Sequence, residues 1–428
     1  MKTKLIKIAA ILTASSLPHV SIAADWSIAG LESFGSTSNN AVSINNSGQV
    51  LVTYQWPAHR DGDLITHPEC YPCSYLSGDN GVGIVSTYAK AFGGAGIVPS
   101  KVNDSGQITG TTYISDTSYP EGLKITAFVT GPDGIGKTDI VAPGDGPTYG
   151  RTINNSGQVA GFFGTDKFFI TSTAYIYINY KPFITGPNGT GFTDLSSLSG
   201  QNLRLSDINS TGQLVGSVDS SALGSERHAF YTDPDGTGLH DLGTFGGNSA
   251  SARAINDSGD IVGNYSISGK DIDGNYPISE NYRAFYIDHT DHVMTDLGTM
   301  GGDGSFVHDI NNIGQIIGVA SNKYNINEAF LYTNSVMVNL SHLDVVINNG
   351  WTDLNPSAIN DHGQIVGSGK HNGIAQPFFL TVTDDKTFFD NYVPVPLSPV
   401  PEPQTYAMLL AGLGLTGFMA RRRKKTAM

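Results

Sequence analysis

One short phrase occurs seven times along the chain, and this repetition restricts the possible folds more than any other feature of the sequence. The copy at residues 255–263 reads INDSGDIVG, and the other six copies differ from it at a few positions. A repeat of about 50 residues is the length of one supersecondary unit, which stacks on its copies because it cannot bury its apolar face alone. The sequence therefore predicts an open array or a closed ring of similar units, in which most recurring residues serve the architecture.

Each copy of the phrase predicts the turn of a β-hairpin. Asn at the first position of a type I turn bonds the backbone ahead of it, and Gly takes the left-handed conformation that follows. Apolar β-branched residues flank the turn on both sides, as strands require. We interpret the repeated Asn as a turn cap rather than as a residue that lines a channel for a ligand. The predicted turn residues are Asn45, Gly48, Asn103, Gly106, Asn154, Gly157, Asn209, Gly212, Asn256, Gly259, Asn311, Gly314, Asn360 and Gly363.

A second hairpin follows the phrase in the first copies. Its turns read Gly-Pro-Asp-Gly or a close variant at residues 131–134, 186–189 and 233–236, and a related turn is predicted at residues 78–81. Proline presets the first torsion angle of such a turn, and glycine again takes the left-handed position. Two hairpins give four short antiparallel strands in each repeat, which is the composition of one β-propeller blade.

The two ends of the repeat region favour a closed ring. The first copy lacks the strands that precede the phrase in the others, and the last copy stops after residue 380. We therefore expect the strand near residues 26–31 to pair with the strand near residues 377–380, which removes both sheet edges. The predicted fold class is all-β, a seven-bladed β-propeller of four-stranded antiparallel blades that the N-terminal strand closes. The alternative is an open β-solenoid, which would need capping ends.

The N-terminal residues resemble a secretory signal peptide. Three lysines within the first seven residues precede an apolar stretch, and residues 21–23 offer the small side chains that a signal peptidase reads. We predict residues 1–23 as the signal peptide, with an uncleaved anchor as the alternative. Residues 24–385 then form the propeller domain, and residues 386–403 form a Pro-rich linker that ends in a sorting motif.

The C-terminus carries a second targeting signal, in which a Val-Pro-Glu-Pro motif precedes a short apolar segment and a basic cluster. We predict residues 404–420 as a short transmembrane helix and residues 421–428 as a basic cytoplasmic tail, because cations hold that end of a span in the cytoplasm. The arrangement resembles the PEP-CTERM sorting signal of Gram-negative bacteria that make exopolysaccharide. The residues of this predicted signal are Val400, Pro401, Glu402, Pro403, Arg421, Arg422 and Arg423.

The PEP-CTERM resemblance implies a route through the cell envelope. After export and signal peptidase cleavage, the protein would be an inner-membrane intermediate that is held by its C-terminal helix. An exosortase-like enzyme would then cleave it near residues 401–403 and deliver it to the outer surface or the extracellular matrix. The alternative interpretation of the same segment is a plain C-terminal membrane anchor.

The charge of the chain separates its body from its ends. The whole chain has 24 basic and 38 acidic residues and a net charge of −14. Without residues 1–23 and 401–428, 16 basic and 37 acidic residues remain, which is a net charge of −21. An acidic surface opposes nucleic acid as a partner, because nucleic-acid binding needs cationic contacts with phosphates. It favours solubility and contacts with divalent cations or neutral polysaccharide.

The only two cysteines, Cys70 and Cys73, lie in an insertion of the first repeat. Because the protein is expected to be exported, we predict a local disulfide between them. A redox-active pair would lie at the start of a helix next to a strand, and the surrounding sequence does not indicate one. A zinc site would need two ligands beyond the cysteines, and His67 supplies one candidate.

The repeats also resemble the HAF family of extracellular repeat proteins, named for a His-Ala-Phe triplet. The resemblance covers residues 26–382 and implies an exported repeat protein of unassigned activity. An insertion between residues 56 and 73 departs from the pattern of the first repeat. The triplet stands intact at residues 228–230, and its counterparts stand at residues 126–128, 181–183, 283–285 and 328–330.

The sequence indicates no catalytic residues. Thr, Arg or Glu replaces His228 in the sister repeats, and no Ser, His and acid combination occurs in a recognisable context. Asp271, Asp273 and Asn275 begin like a calcium loop, but Tyr282 stands where that loop needs its closing Glu. We therefore predict no metal and no cofactor, with calcium at these residues as the alternative to a plain hairpin turn.

These observations together predict a non-catalytic exported protein, sorted to the cell surface or to the exopolysaccharide matrix of a biofilm. It would act as a binding or structural module, and its partner would be exopolysaccharide or another surface protein. The alternative is a propeller enzyme, a hydrolase or lyase that acts on polysaccharide. Acids of raised pKa that face the central tunnel would favour the enzyme.

Overall fold

Seven four-stranded antiparallel sheets are arranged as the blades of a β-propeller, so the predicted fold class is confirmed. The computed structural model describes residues 26–33, 38–55, 60–61, 64–65, 73–87, 96–117, 123–164, 180–198, 202–219, 226–247, 249–266 and 282–382. The predicted signal peptide, the sorting signal with its apolar segment, Cys70, and the calcium candidates Asp271, Asp273 and Asn275 lie outside these residues.

The first three blades follow one another along the chain, each from the innermost to the outermost strand. Blade 1 contains β2 (Ser38–Ile44), β3 (Val50–Gln55), β6 (Cys73–Ser77) and β7 (Ile84–Thr87), and the small hairpin of β4 (Arg60–Asp61) and β5 (Leu64–Ile65) lies in its insertion. Blade 2 contains β8 (Gly96–Val102), β9 (Ile108–Ser115), β10 (Leu123–Val129) and β11 (Thr138–Ile140). Blade 3 contains β12 (Thr148–Ile153), β13 (Val159–Gly164), β14 (Tyr180–Ile184) and β15 (Thr193–Asp194).

The remaining blades continue this order, except that the last takes its outermost strand from the start of the chain. Blade 4 contains β16 (Leu203–Ile208), β17 (Leu214–Asp219), β18 (Arg227–Tyr231) and β19 (His240–Gly243). Blade 5 contains β20 (Ala250–Ile255), β21 (Ile261–Ser266), β22 (Tyr282–Ile287) and β23 (Met294–Asp296). Blade 6 contains β24 (Gly301–Ile310), β25 (Ile316–Asn322), β26 (Asn327–Thr333) and β27 (Val336–Asn339). Blade 7 contains β28 (Trp351–Ile359), β29 (Ile365–His371), β30 (Ile374–Val382) and β1 (Trp26–Gly30).

Strand β1 closes the ring as the sequence predicts. It pairs antiparallel with β30, from Trp26 opposite Val382 to Gly30 opposite Phe378. The backbone N–H of Leu31 then donates to the carbonyl of Pro377 at 2.9 Å. Blade 7 is therefore built from both ends of the repeat region, and separating the two ends requires this ladder to break.

Some of the described residues outside the sheets form short helical turns. The 3₁₀ turns are Asp79–Gly81, Pro132–Gly134, Pro187–Gly189, Ser196–Leu198, Pro234–Gly236 and Leu340–His342, and the α-helix α1 covers Asp344–Asn348. Four of these turns occupy the predicted second hairpins, where the residue before the glycine, such as Asp133 with φ 54°, is left-handed as well. Within the described ranges, none of the helices has the length and apolar character that crossing a membrane requires.

The apolar core lies between neighbouring blades and contains one fully buried aromatic ring from each blade. In six blades this ring is a phenylalanine on the third strand, and a glycine of the second strand lies directly opposite it. In blade 5, Phe285 pairs with Gly263, the last residue of the phrase. The other pairs are Phe128 with Gly110, Phe183 with Gly161, Phe230 with Gly216, Phe330 with Gly318 and Phe378 with Gly367. The phenylalanine of each HAF-like triplet is thus a core residue.

Candidate functional site in the central tunnel

The innermost strands of the seven blades surround a central tunnel of about 530 Å³. Each innermost strand leads to the Asn of the repeated phrase. The tunnel wall contains this Asn, the residue after it and the three residues before it. Concave sites with a few convergent polar groups are the usual binding sites of proteins. The tunnel is therefore the candidate site, since it brings together side chains from all seven blades.

The seven Asn side chains form a closed belt of hydrogen bonds around the tunnel. The side chain of Asn311 accepts the backbone N–H of Gln315 at 2.8 Å and donates to the Gln315 side chain at 2.8 Å. Its Nδ2 also donates to the backbone carbonyl of Asn360 in the next blade at 2.8 Å. Every Asn makes the same link to the following blade, and Asn360 completes the cycle by donating to Asn45 at 2.9 Å. The predicted turn cap is therefore also the joint between blades.

A β-bulge in every innermost strand turns two consecutive side chains toward the tunnel. In β20 the pairing register shifts between Ala252 and Ala254 and leaves Arg253 unpaired, and the same position is skipped in the other six blades. An extra residue bends a strand and re-aims its side chains. Two rings result. The bulge ring contains Val42, Ser100, Arg151, Ser206, Arg253, His308 and Ser357, and the middle ring contains Ser43, Lys101, Thr152, Asp207, Ala254, Asp309 and Ala358.

The middle ring holds a cation and two carboxyl groups. The Lys101 ammonium forms an ion pair with Asp207, which also accepts a hydrogen bond from the Thr152 hydroxyl at 2.8 Å. Asp309 accepts the backbone N–H groups of Ile310 and Ile359, each at 3.0 Å. Burial raises the pKa of Asp309 to about 7, against the attraction of Lys101. Burial opposes the charge of Lys101, but the neighbouring carboxylates outweigh it and raise its pKa.

The bulge ring holds two guanidinium groups. Burial, together with the charge of Arg151, lowers the pKa of Arg253 to about 10. The Arg253 guanidinium lies over the Phe306 ring, 4.7 Å from its centroid. His308 is neutral at pH 7, because burial lowers its pKa to about 4, and its Nδ1 contacts the Pro356 carbonyl at 2.5 Å. The positive charge of this ring therefore belongs to the two arginines.

The residues that follow the belt asparagines line one mouth of the tunnel. Three of the seven are carboxylates, Asp104, Asp257 and Asp361. Asp361 accepts the backbone N–H of Asn312 from the preceding blade at 2.8 Å, and Asp257 accepts that of Ser210 at 2.8 Å. This mouth is therefore acidic, while the two arginines lie on the opposite side of the middle ring, so the tunnel is electrically polar along its axis.

The other residues that the sequence singles out lie at the turns and in blade 1. The seven phrase glycines have φ between 71° and 92°, as the turn assignment predicts. Cys73 is buried and disulfide-bonded, and its predicted partner Cys70 lies outside the described residues, so this pairing stays a prediction. The calcium loop, which is the alternative to a plain hairpin turn at residues 271–275, also lies outside the described residues.

His228 lies on the outer part of blade 4, away from the tunnel. Its Nδ1 contacts the carboxylate of Asp241 at 2.8 Å. In blade 5 the equivalent residues are Arg283 and Asp296, which form an ion pair at 3.0 Å. Two different side chains, a histidine and an arginine, thus make the same link between the third and fourth strands. At this position the side chain therefore links the two outer strands of the blade.

Blade 5 departs from its sister blades in one cluster of possible metal ligands. Ligand atoms of Asp260, Asp288 and His289 lie within 4.8 Å of one another, and His289 Nδ1 contacts Asp260 at 2.7 Å. Asp260 replaces the Gln that the other six copies carry at this position. Exposed carboxylates gather in this way without any metal, so the cluster does not by itself indicate a metal site.

The tunnel residues were not predicted from the sequence. They occupy the two positions that lie two and three residues before each phrase Asn. Those positions carry no residue type that is common to all the copies. The signal that could have located them is this variation itself, since a position that changes inside a repeated unit is not fixed by the architecture.

Comparison with known proteins supports the sorting signal. Residues 399–424 match the PEP-CTERM protein-sorting motif, which confirms that part of the predicted resemblance. No curated protein matches the sequence of this chain. The motif indicates an exported protein that is sorted to the cell surface.

Solved propeller structures resemble the chain only distantly. TolB from Acinetobacter baumannii is 11% identical, with a TM-score of 0.40, and the match covers 73% of this chain and 77% of that one. A prolyl endopeptidase is 12% identical, with a TM-score of 0.48, over 82% of this chain and 51% of that one. Trypanosoma rangeli sialidase is 13% identical, with a TM-score of 0.35, over 67% and 55%. Similarity at this level carries no argument about activity. The chain is thus an exported, surface-sorted protein with a β-propeller fold.

Proposed function

We propose that this protein is a non-catalytic module of the bacterial cell surface, held at the outer surface or in the exopolysaccharide matrix of a biofilm. It would bind a matrix polysaccharide or another surface protein, or hold other components apart as a rigid spacer. The resemblance of its repeats to the HAF family, and the Gram-negative origin that the sorting signal implies, belong to this proposal. An exosortase-like enzyme would process its C-terminus.

One observation carries the proposal: the polar side chains that all seven blades share are used in joining the blades. The belt asparagines are buried and bond the next blade. In six blades, the side chain of the residue after the belt asparagine accepts a hydrogen bond from a backbone N–H of a neighbouring blade. Satisfied buried networks make a structure rigid. A rigid ring on a surface-sorted chain is suited to binding or spacing.

The test uses the processed body, residues 24–400, with exopolysaccharide from the native host. Co-sedimentation with the polysaccharide and the appearance of new reducing ends are measured in the same tube. We expect co-sedimentation without new reducing ends. New reducing ends would overturn the proposal, and the absence of both signals would leave the spacer or a protein partner as the function.

The second candidate is a polysaccharide hydrolase or lyase, and Asp309 is the observation that favours it. A tunnel carboxyl whose pKa burial raises to about 7 is in the range of a general acid, and a second carboxyl, Asp207, faces the same tunnel. Against this mechanism, the Asp207 carboxylate forms an ion pair with Lys101 and is therefore not free to act as a general base. If the assay above yields reducing ends, Asp309→Asn must abolish them for this mechanism to hold.

A further inference from the structure

The bulge ring contains two cations that the described residues leave without a counter-ion. Arg151 and Arg253 make no ion pair with any carboxylate in the parts of the chain that the structure describes. The Nε of Arg253 is buried and has no hydrogen-bond partner among these residues. Arg151 is exposed to solvent, whereas Arg253 is partly buried, and an unpaired charge in a buried position is costly enough that proteins normally pair it. This arrangement indicates a group that is supplied from outside the chain.

The carboxylates inside the tunnel are engaged elsewhere. Asp207 is paired with Lys101, and Asp309 is capped by two backbone N–H groups. Asp104, Asp257 and Asp361 line the mouth on the other side of the belt. The two arginines therefore face a polar space in which no side chain of the tunnel wall supplies their anion.

The surroundings of the arginines suit an oxyanion. Arg151 belongs to blade 3 and Arg253 to blade 5, and the bulge residue of the blade between them is Ser206, whose hydroxyl is a hydrogen-bond donor. Guanidinium groups present several N–H donors in a planar fork that matches carboxylate and phosphate oxygens. A tunnel of about 530 Å³ is large enough for a sugar-sized ligand.

We propose that Arg151, Arg253 and Ser206 form a binding site for one compact oxyanion group in the central tunnel. Two sources carry this chemistry, a free inorganic anion such as phosphate and the carboxylate of an acidic sugar. The site adds a ligand chemistry to the proposed surface module and does not depend on it, because an oxyanion could bind equally in a spacer or in an enzyme.

The test is isothermal titration calorimetry of the purified protein with three probes: sodium phosphate, sodium glucuronate and uncharged glucose. We expect phosphate or glucuronate to bind and glucose not to bind. Heat from glucuronate alone assigns the site to an acidic sugar, and heat from phosphate, with or without glucuronate, assigns it to any compact oxyanion. Failure of both anions to bind overturns the proposal.

The matched variants are Arg151→Ser with Arg253→Ser, and Lys323→Gln as the control. Serine stands at the bulge position in three other blades, so the double variant keeps a side chain that this ring already accommodates. Lys323 is a cation outside the tunnel, near the Tyr324 ring. The double variant should lose roughly tenfold or more in affinity, as expected for the loss of charged hydrogen bonds. Equal losses in both variants would mean nonspecific attraction and would overturn the site.

Thermal unfolding gives a readout that does not depend on the heat of binding. A bound anion stabilises the folded state by mass action, so the anion that binds should raise the Tm of the wild-type protein. Without added anion, the double variant should unfold at the same or a higher temperature than the wild type, because it no longer holds the unpaired charge of Arg253 in a partly buried position. An anion-induced rise in Tm that persists in the double variant would place the binding elsewhere.

Discussion

The last glycine of the repeated phrase is fixed by the bulge in the strand beside it. The bulge brings a backbone carbonyl of the innermost strand against this position. A Cβ on Gly263 would lie 2.3 Å from the Ser251 carbonyl oxygen and 2.4 Å from Cζ of Phe285. Glycine is therefore required here by close approach, and the phenylalanine ring covers the surface that the missing side chain leaves. The bulge residues that line the tunnel and the glycine–phenylalanine pair in the core thus depend on each other.

Replacing Gly263 with alanine should destabilise the protein by about 2–3 kcal/mol, because the added methyl group overpacks a site with no space. The measurement is the free energy of unfolding in urea. The matched control is Gly314→Ala at an open turn, where φ is 77° and nothing lies within 4 Å of the added carbon. The control should lose only about 1 kcal/mol for its left-handed backbone. Equal losses at both sites would contradict the steric argument.

Asp309 should make the stability depend on pH. Its pKa is about 7 in the folded protein and 3.8 in an ordinary carboxyl group, so between these values the folded state holds a proton that the unfolded state has released. The contribution of Asp309 to the free energy of unfolding is therefore fully present below a pH of about 4 and is lost as the pH rises to about 7. Lys101 and Asp207 are the charged groups that act on it inside the tunnel.

The Asp309→Asn variant has no titrating group at this position. The difference in stability between the variant and the wild type therefore measures the pH-dependent contribution of Asp309. Thermal unfolding of both proteins between pH of about 4 and about 8 is the measurement. As the pH increases over this interval, the Tm of the variant minus the Tm of the wild type should increase, because only the wild type loses the contribution of Asp309. A constant difference would mean that the carboxyl group is charged in the folded protein throughout.

At the scale of elements, the turn and the bulge of the phrase hairpin differ in how clearly the sequence specifies them. The phrase hairpin could be predicted because Asn and Gly perform a turn chemistry that few other residues perform. The bulge in the same hairpin could not, because residues as different as Val42, Ser100 and Arg253 occupy the bulge position and leave no common signal in the sequence. The bulge goes together with the close approach of the neighbouring strand and with the tunnel, both of which are tertiary features.

Strand β1 is the element that closes the ring. Deleting residues 1–33 should lower the Tm and speed amide hydrogen exchange in β30, because β30 loses the ladder from Trp26 to Gly30 and becomes a sheet edge. The side chains of Trp26 and Ile28 also pack on the core of blade 7. Deletion of residues 1–23 alone is the control and should change neither quantity. Unchanged exchange in β30 would show that the ring is held without this strand.

At the scale of the whole molecule, the Asn belt makes seven similar units one structure. Every link donates from one blade to the next in the same rotational sense, from Asn45 to Asn103 and on to the return from Asn360. Hydrogen bonds that follow one another in one direction polarise and strengthen each other. A break at one blade therefore weakens its neighbours as well.

Replacing Asn311 with alanine should lose about 2–3 kcal/mol of stability, because buried partners in its own turn and in blade 7 lose their bonds. Asn311→Ser keeps an acceptor that can cap the turn but cannot reach the next blade. It should recover part of the loss, and urea unfolding measures both variants. Full recovery by serine would mean that the cap alone matters and that the belt adds nothing.

The sequence predicted the ring and its closure because repeat length, turn residues and the missing first strands each report on topology. It did not predict the tunnel chemistry. Lys101 and Asp207 are 106 residues apart along the chain and meet only when blades 2 and 4 face the same axis. Side chains brought together by the ring leave no local pattern, so this part of the site required the three-dimensional structure.

The pairing of β1 with β30 also determines how a pulling force would enter the ring. The chain leaves β30 at Val382, beside Trp26, so a tether attached through the C-terminal segment would pull on the outer part of blade 7. Because β30 is bonded on one side to β29 and on the other to β1, tension along it shears two ladders at once. A cell-surface ring held in this way would yield under load only when many hydrogen bonds broke together.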